Sequence, residues 1–307
     1  MKIVGMMVVG PGEYDRYLYH AVNSMLRLTD KVVFCCNNAD QKTIQALIDA
    51  KMDVYYDDRE WGKYQHKIKE DLAKRLAVHK PDWVLALDAD ENIPESVKRK
   101  DLEEWAWDNE HGMYFYIVNL WNSAIRYSPK LSFWNVRFWK YIENGNQWEQ
   151  KPLHCGLAPR RSYQHGRYAP IIVEHFGLMT PESRQRKVER YEKYDSDGQY
   201  KPQSWYNNLK STETGEVYDP VALQEELEAE VASYKQKPNT KLKDFMKKSG
   251  KFAIVRRKED GVVLDIPVEH LEETLSKGFE LITDDAGTPE ERDEPIKDVV
   301  IVTGKLS

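Results

Sequence analysis

Two aspartates separated by one residue, Asp88 and Asp90, follow an apolar run in the segment WVLALDADE (83–91). Side chains two residues apart in an extended chain lie on the same side, so both carboxylates are directed to one place. They repel each other unless a cation is present, and oxygen ligands of this kind suit Mg²⁺ or Mn²⁺. Such an ion can act as a Lewis acid on a leaving diphosphate. The alternative is a strand-end turn in which the aspartates cap the next element.

The elements that must position this pair alternate between strand and helix patterns. Apolar, strand-like runs occur at 2–9, 31–36, 52–56 and 82–88, and helical spacing of apolar residues occurs at 14–28, 40–50 and 62–79. This alternation indicates crossover connections and a parallel sheet that is buried on both faces. The aspartates would then lie at the carboxyl end of the fourth strand, where open α/β sheets bind ligands.

The remainder of the chain has a different sequence pattern. Aromatic strands are predicted at 113–121 and 132–141, and Thr180-Pro181 has the residue types that begin a helix. A polar stretch at 195–218 is interpreted as a linker, and a further helix begins at Asp219-Pro220. From Phe252 we predict two strands around the turn Asp260-Gly261, a helix that ends at Gly278, and a flexible acidic tail at 284–298. The predicted organisation is a main domain at 1–195, a linker and helical segment at 196–245, and a small α+β module at 246–307.

Composition argues against a nucleic-acid-binding protein, a zinc- or disulfide-stabilised protein and a membrane-spanning protein. The 307-residue chain has a net charge of −6, whereas a protein with a dominant nucleic-acid surface normally carries a basic patch. Cys35, Cys36 and Cys155 have neither zinc-site nor disulfide-framework spacing, which fits a reducing compartment. No stretch approaches the ~20 apolar residues that cross a bilayer, and the first residues lack a signal-peptide pattern. We therefore expect a soluble protein of the cytoplasm.

Five motifs follow one another along residues 1–195: GPGEYDRYLYHAVNSM, which contains Glu13, DKVVFCCNNADQKT (30–43), DWVLALDADE, QWEQKPLHCG (147–156) and VEHFGLMTPESRQRKVERYEKYD (173–195). In these motifs and their order, residues 1–195 resemble a family-2-type glycosyltransferase with the GT-A fold, with Glu13 at the family's glutamate. There are three departures. Asn37 stands where many members have aspartate, Cys155 replaces the glutamate of a His-Glu pair, and the GPG turn replaces the asparagine before Glu13.

The resemblance implies a Rossmann-like mixed sheet flanked by helices, and a nucleoside-diphosphate sugar donor with Mn²⁺ or Mg²⁺. A UDP-sugar is the favoured donor. Asp88, Asp90 and His175 are the implied metal ligands; the alternative for His175 is a strand-end histidine satisfied by the backbone. His154 is a second candidate ligand, or a contact of the donor diphosphate.

Other residues are assigned to the nucleotide and to the acceptor. The resemblance points to Asn37, Asp58 and Lys63 for the base, ribose and phosphate of the donor, with Asp88 beside them. An inverting transferase needs a general base. Glu149 is the chosen residue, and Glu174 and Asp108 are alternatives; a retaining enzyme would need none.

The expected activity is transfer of a sugar to an acceptor hydroxyl. The acceptor is a saccharide or another macromolecule, and nucleic acid enters only as an acceptor with a modified base. Five aromatic residues could stack on sugar rings or form the core of the smaller sheet: Trp121, Trp134, Trp139, Trp148 and Tyr141. Arg184, Arg186 and Lys187 on a charged helix could bind a polyanionic acceptor or simply face solvent.

Two rival functions remain open. A sugar nucleotidyltransferase also uses aspartates and a metal on a similar sheet, although GPGEYDR lacks the glycine-rich activating loop of that class. A catalytically inactive interaction protein is the other, with the C-terminal module as its docking element. That module is similar to small segments of bacteriophage proteins.

Overall fold

A computed structural model describes residues 1–106, 111–143, 145–195, 199, 201 and 203–236, together with strands at 252–257, 263–267, 279–281 and 291–292. The chain divides into two compact units, Met1–Val231 and Ala232–Ser307. Asp108, one of the alternative bases, lies outside the described residues. Among the described residues, no helix has both the length and the apolar character needed to cross a membrane.

The first unit begins with strands and helices in strict alternation, as predicted. The elements are β1 (Ile3–Val9), α1 (Leu18–Leu28), β2 (Lys31–Asn37), α2 (Gln41–Asp49), β3 (Asp53–Asp57), α3 (Trp61–Arg75) and β4 (Trp83–Ala86). Further elements follow: β5 (Glu91–Asn92), α4 (Arg99–Trp105), β6 (Gly112–Trp121), β7 (Ser123–Tyr127), β8 (Phe133–Lys140), α5 (Arg160–Gln164), β9 (Gly166–His175), α6 (Pro181–Tyr194), α7 (Gln203–Leu209), β10 (Glu216–Val217) and α8 (Pro220–Gln236).

The sheet has a parallel part and an antiparallel part. Strands β3, β2, β1 and β4 pair in parallel in that order, and β8 joins β4 in the antiparallel sense. Strand β6 lies next to β8 and also pairs with β7 and, in parallel, with β9; β10 is beyond β7 and β5 is beyond β9. The predicted fold class, an α/β mixed sheet flanked by helices, is confirmed.

Both faces of the parallel part are covered. Every residue of β1 is buried, and successive residues face opposite layers: Ile3 and Met7 belong to a core with α1 and α4, whereas Val4 and Met6 belong to a core with α3. A strand buried on both faces has no polar side to expose. This explains the continuous apolar runs on which the sheet prediction depended.

Two helices begin where their capping residues predict, whereas α5 and α7 were not predicted. The side chain of Thr180 accepts a hydrogen bond from the backbone of Ser183 at the start of α6, and α8 begins at Pro220. Helix α7 lies inside the stretch interpreted as a linker. Its Tyr206 and Leu209 are buried in a hydrophobic cluster, so tertiary packing stabilises a helix in a polar segment.

The described part of the second unit is a four-stranded antiparallel sheet. Strand β11 (Phe252–Arg257) pairs in the antiparallel sense with β12 (Val263–Pro267), which confirms the two predicted strands; the turn predicted at Asp260-Gly261 lies outside the described residues. β13 (Phe279–Leu281) and β14 (Glu291–Arg292) both pair with β11. The helix predicted at 268–278 lies outside the described residues, as does the acidic tail at 284–298 apart from β14.

Candidate functional site

The two aspartates lie in the loop between β4 and β5, and strand pairing brings a distant segment to them. In the antiparallel β5–β9 pair, Glu91 is opposite His175. The backbone amide of Phe176 donates a 2.8 Å hydrogen bond to the carbonyl of Asp90. Backbone pairing, rather than side-chain contact alone, therefore fixes His175 beside Asp90.

Asp90, His175 and Lys187 meet at the end of the sheet. Oδ2 of Asp90 lies 3.3 Å from Nε2 of His175 and 3.4 Å from Nζ of Lys187, which comes from α6. Burial alone would raise the pKa of Asp90, yet the adjacent ammonium of Lys187 holds it well below its ordinary value. Burial likewise opposes the charge of Lys187, and the carboxylate of Asp90 more than offsets this and raises the pKa of that lysine. The pair is therefore an ammonium and a carboxylate.

Hydrogen bonds fix the tautomer of His175. The buried side chain of Asn119 donates from Nδ2 to the carbonyl of Leu131 at 2.5 Å, so its Oδ1 is the atom that faces Nδ1 of His175. Because Oδ1 can only accept, Nδ1 carries the proton. Since the ammonium of Lys187 can only donate, Nε2, 3.0 Å from Nζ, accepts through its lone pair.

Asp88 has a different environment. Its Oδ2 lies 3.8 Å from a guanidinium nitrogen of Arg137, and its side chain is 39% exposed. Arg137 is buried and forms a two-pronged ion pair with Glu91, with N···O distances of 2.7 and 2.6 Å. The two aspartates thus lie beside two different cations, Asp88 at 3.8 Å from Arg137 and Asp90 at 3.4 Å from Lys187.

The implied divalent ion does not fit these residues as they are arranged. Within the described part of the chain, no three His, Cys, Asp or Glu side chains form a group that could hold a metal ion. Asp90 and His175 do come together, but Lys187 contacts both of the atoms that would be ligands. A lone pair that accepts from an ammonium is not free to bind a metal ion.

The loop after β1 adds a carboxyl group and further cations. Burial and then the charge of Asp90 raise the pKa of Glu13 to about 7, against the opposing effect of Arg16, Lys187 and Arg190. Arg16 lies 3.4 Å from Glu13. At this end of the sheet the cations Arg16, Lys187 and Arg190 therefore surround the carboxyl groups of Glu13 and Asp90.

Of the residues predicted for the nucleotide, Asn37 and Asp58 lie at the ends of β2 and β3, and Lys63 lies in the first turn of α3. Asn37 is buried, and its amide donates to the carbonyls of Asp57 at 3.2 Å and Arg59 at 2.9 Å. Asp58 is exposed. Lys63 is exposed and pairs with Glu60 at 2.7 Å. Asn37 therefore ties two loops together, while Asp58 and Lys63 present their side chains to solvent.

The two candidate bases within the described residues, Glu149 and Glu174, pair with groups other than the aspartates. Glu149 is 51% exposed and pairs with Lys151 at 2.5 Å. Both carboxylate oxygens of Glu174 accept hydrogen bonds, from Asn92 at 2.8 Å and Tyr218 at 3.1 Å.

His154, the second candidate ligand, is also removed from Asp90. It packs against the rings of Tyr191, Trp205 and Tyr206 and lies 3.1 Å from the hydroxyl of Tyr206. Burial lowers its pKa to about 4.

Most of the aromatic residues considered for sugar stacking are likewise packed inside the protein. Trp121, Trp139 and Trp148 are buried, which supports the core interpretation.

Sequence analysis did not identify Asn119 and Arg137 as site residues, and it assigned Lys187 only to a possible acceptor. Arg137 lies within an aromatic strand, where a charged residue among apolar neighbours is the one signal of a buried ion pair. Lys187 lies on a helix of mixed charge, which is indistinguishable in sequence from a solvated face.

No family model matches the chain, and no curated protein matches it. Among solved structures, it is similar to TarS of S. aureus (residues 1–349) in complex with UDP, with 11% identity over 68% of this chain and 70% of that chain and a TM-score of 0.41. For the same protein with UDP-GlcNAc, the identity is 11%, the coverage 68% and 70%, and the TM-score 0.39. Mannose-1-phosphate geranyltransferase from Thermus thermophilus has 14% identity over 47% of this chain and 51% of that chain, with a TM-score of 0.30. Similarity at this level says nothing about substrate or mechanism, which the geometry of the site must supply.

Proposed function

We propose that this chain is a glycosyltransferase that moves a sugar from a nucleoside-diphosphate donor to an acceptor hydroxyl. The observation that supports this most strongly is the arrangement beyond the carboxyl end of β4, where Asp88 lies beside Arg137 and Asp90 lies beside His175 and Lys187. Phosphate oxygens bind ammonium and guanidinium groups, and the hydroxyl groups of a sugar or ribose donate to carboxylates. A sugar diphosphate needs both kinds of partner in one place.

The residues have distinct roles in the proposed reaction. The acceptor oxygen attacks the anomeric carbon, the bond from that carbon to the diphosphate breaks, and negative charge accumulates on the departing phosphate. Lys187, held by Asp90 and His175, stabilises that charge. Asp88, whose carboxylate is the more exposed of the two aspartates, accepts hydrogen bonds from hydroxyl groups of the donor.

The proton of the acceptor hydroxyl has to be taken up by a base if the configuration is inverted. Glu149 is the base proposed from sequence, and it would have to leave Lys151 to serve. Glu13 is the carboxyl group near Asp90 whose pKa, about 7, suits proton transfer at neutral pH. The donor proposed is a UDP-sugar, with Asn37, Asp58 and Lys63 near its nucleoside, and the acceptor is a saccharide or another macromolecule.

Donor binding tests the proposal. The full-length chain would be titrated with UDP-, GDP- and CMP-sugars, once in EDTA and once with Mn²⁺, while the melting temperature is followed. We expect a UDP- or GDP-sugar to raise the melting temperature, whereas a CMP-sugar, which has a single phosphate, should not. Asp88→Asn should weaken this effect, whereas Asp49→Asn, at an exposed position of α2, should not. If neither the UDP-sugars nor the GDP-sugars shift the melting temperature under either condition, the proposal is wrong.

Product analysis separates the proposal from the nucleotidyltransferase alternative. A glycosyltransferase transfers the sugar of its donor to an acceptor or to water and releases the nucleoside diphosphate. A nucleotidyltransferase instead joins a nucleoside triphosphate to a sugar phosphate and releases pyrophosphate. Chromatography of the nucleotides after incubation distinguishes the two reactions.

A further inference from the structure

We infer that the ammonium of Lys187 is the resident cation between Asp90 and His175, and that it binds the donor diphosphate there without a divalent ion. The part of this inference that concerns the donor rests on the proposed function. The part that concerns the cation can be tested without any nucleotide.

The position of Nζ is the first support. It lies 3.4 Å from Oδ2 of Asp90 and 3.0 Å from Nε2 of His175, and those two atoms are themselves 3.3 Å apart. An ammonium group has three N–H donors, and two of these contacts use two of them. The third can therefore donate to a phosphate oxygen.

The second support comes from the orientation of His175. Because Leu131 fixes the amide of Asn119, and Asn119 fixes the ring of His175, the Nε2 lone pair is directed at Lys187. A divalent ion would need this same lone pair, as well as the oxygen of Asp90 that pairs with the ammonium. The metal ion and the ammonium therefore compete for the same two atoms.

The space around the triad is the third support. A Cβ atom on Gly177 would lie 1.9 Å from Oδ2 of Asp90, 2.5 Å from Nζ of Lys187 and 2.7 Å from Nε2 of His175. The backbone at Gly177 therefore closes one side of the three polar atoms. Mg²⁺ binds about six ligands and usually keeps several waters, for which this side offers no room.

Asp88 does not supply the missing ligand. Its carboxylate is on the side of Arg137, at 3.8 Å, and Arg137 is held in place by Glu91. Movement of Asp88 towards the triad would leave the guanidinium of Arg137 with one carboxylate fewer. It would also place a second carboxylate beside Lys187, whose charge Asp90 already balances.

The first experiment measures Mn²⁺ binding to the full-length protein without nucleotide, from the electron paramagnetic resonance signal of free Mn²⁺. Lys187→Met frees the carboxylate of Asp90 and the Nε2 lone pair of His175. We therefore expect this variant to bind Mn²⁺ at least about tenfold more tightly than the wild type does. Adding Asp90→Asn should abolish the gain. Lys193→Met is the matched control, because Lys193 is on the same helix but 64% exposed and paired with Glu60. Wild-type binding as tight as that of Lys187→Met, and lost in Asp90→Asn, would overturn the inference.

The second experiment measures UDP binding by calorimetry in EDTA and in Mn²⁺. The wild type and Lys193→Met should bind equally well in both, Lys187→Arg should retain binding, and Lys187→Met should bind about tenfold more weakly in EDTA. Wild-type binding that requires Mn²⁺ would refute the role of Lys187. If UDP and the other nucleoside diphosphates bind under neither condition, it is the proposed function that fails, and the Mn²⁺ titration still decides the identity of the cation.

Discussion

Replacement of Glu13 by glutamine is expected to stabilise the protein relative to the wild type, and this gain in the free energy of unfolding should increase as the pH rises. Glu13 is 18% exposed and lies in the loop after β1. Burial and the negative charge of Asp90 oppose its ionisation, and Arg16, Lys187 and Arg190 compensate only in part. Glutamine has nearly the shape of the protonated acid and cannot ionise, so the substitution isolates the effect of the charge.

The magnitude follows from the two pKa values. Glu13 titrates near 4.5 in an unfolded chain and at about 7 in the folded protein. The protonated carboxyl therefore contributes stability that is fully present below pH 4.5 and is lost as the pH rises to about 7. At about 1.4 kcal/mol per pKa unit the full loss is about 3 kcal/mol. Between pH 5 and pH 8, the advantage of Glu13→Gln over the wild type should grow by about 2–3 kcal/mol.

Urea denaturation at pH 5 and pH 8, followed by tryptophan fluorescence, measures this difference. All nine tryptophans lie within the first unit, so the signal reports on the unit that contains Glu13. Glu189→Gln, at an exposed position of α6, is the control and should show no comparable change with pH. The reasoning is refuted if the difference between Glu13→Gln and the wild type is the same at both pH values.

Three further substitutions test the environment of the aspartates. Arg137→Met leaves the buried Glu91 without its ion-pair partner and should lower the free energy of unfolding by about 3–5 kcal/mol in urea; the double variant with Glu91→Gln should be less destabilised than the single one. Gly177→Ala places a Cβ 1.9 Å from Asp90 Oδ2. It should weaken UDP binding in EDTA by about tenfold or more with an unchanged circular dichroism spectrum, and unaltered binding would contradict the packing described. Glu149→Gln should retain most of the turnover, because this carboxylate is exposed and paired away from the aspartates; a loss of kcat at unchanged donor KM would instead support its role as the base.

The sequence determined the architecture of the first half and the place of the aspartate pair. Continuous apolar runs that alternate with helical spacing are readable because a strand buried on both faces cannot tolerate polar residues on either. Once β4 was recognised, Asp88 and Asp90 had to lie beyond its carboxyl end. The start of α6 at Thr180-Pro181 was also readable, since the capping preference is local to a few residues.

Only the tertiary structure decided which groups these carboxylates meet. Two carboxylates close in sequence indicate that a cation is needed, but not which one, because its position depends on long-range pairing. Arg137 reaches the vicinity of Asp88 through the ion pair with Glu91, and Lys187 reaches Asp90 from a helix that follows β9. The pairing of β5 with β9 depends on sheet register, which no local pattern specifies. The aspartate pair therefore predicted the need for positive charge, and the fold supplied it from Arg137 and Lys187.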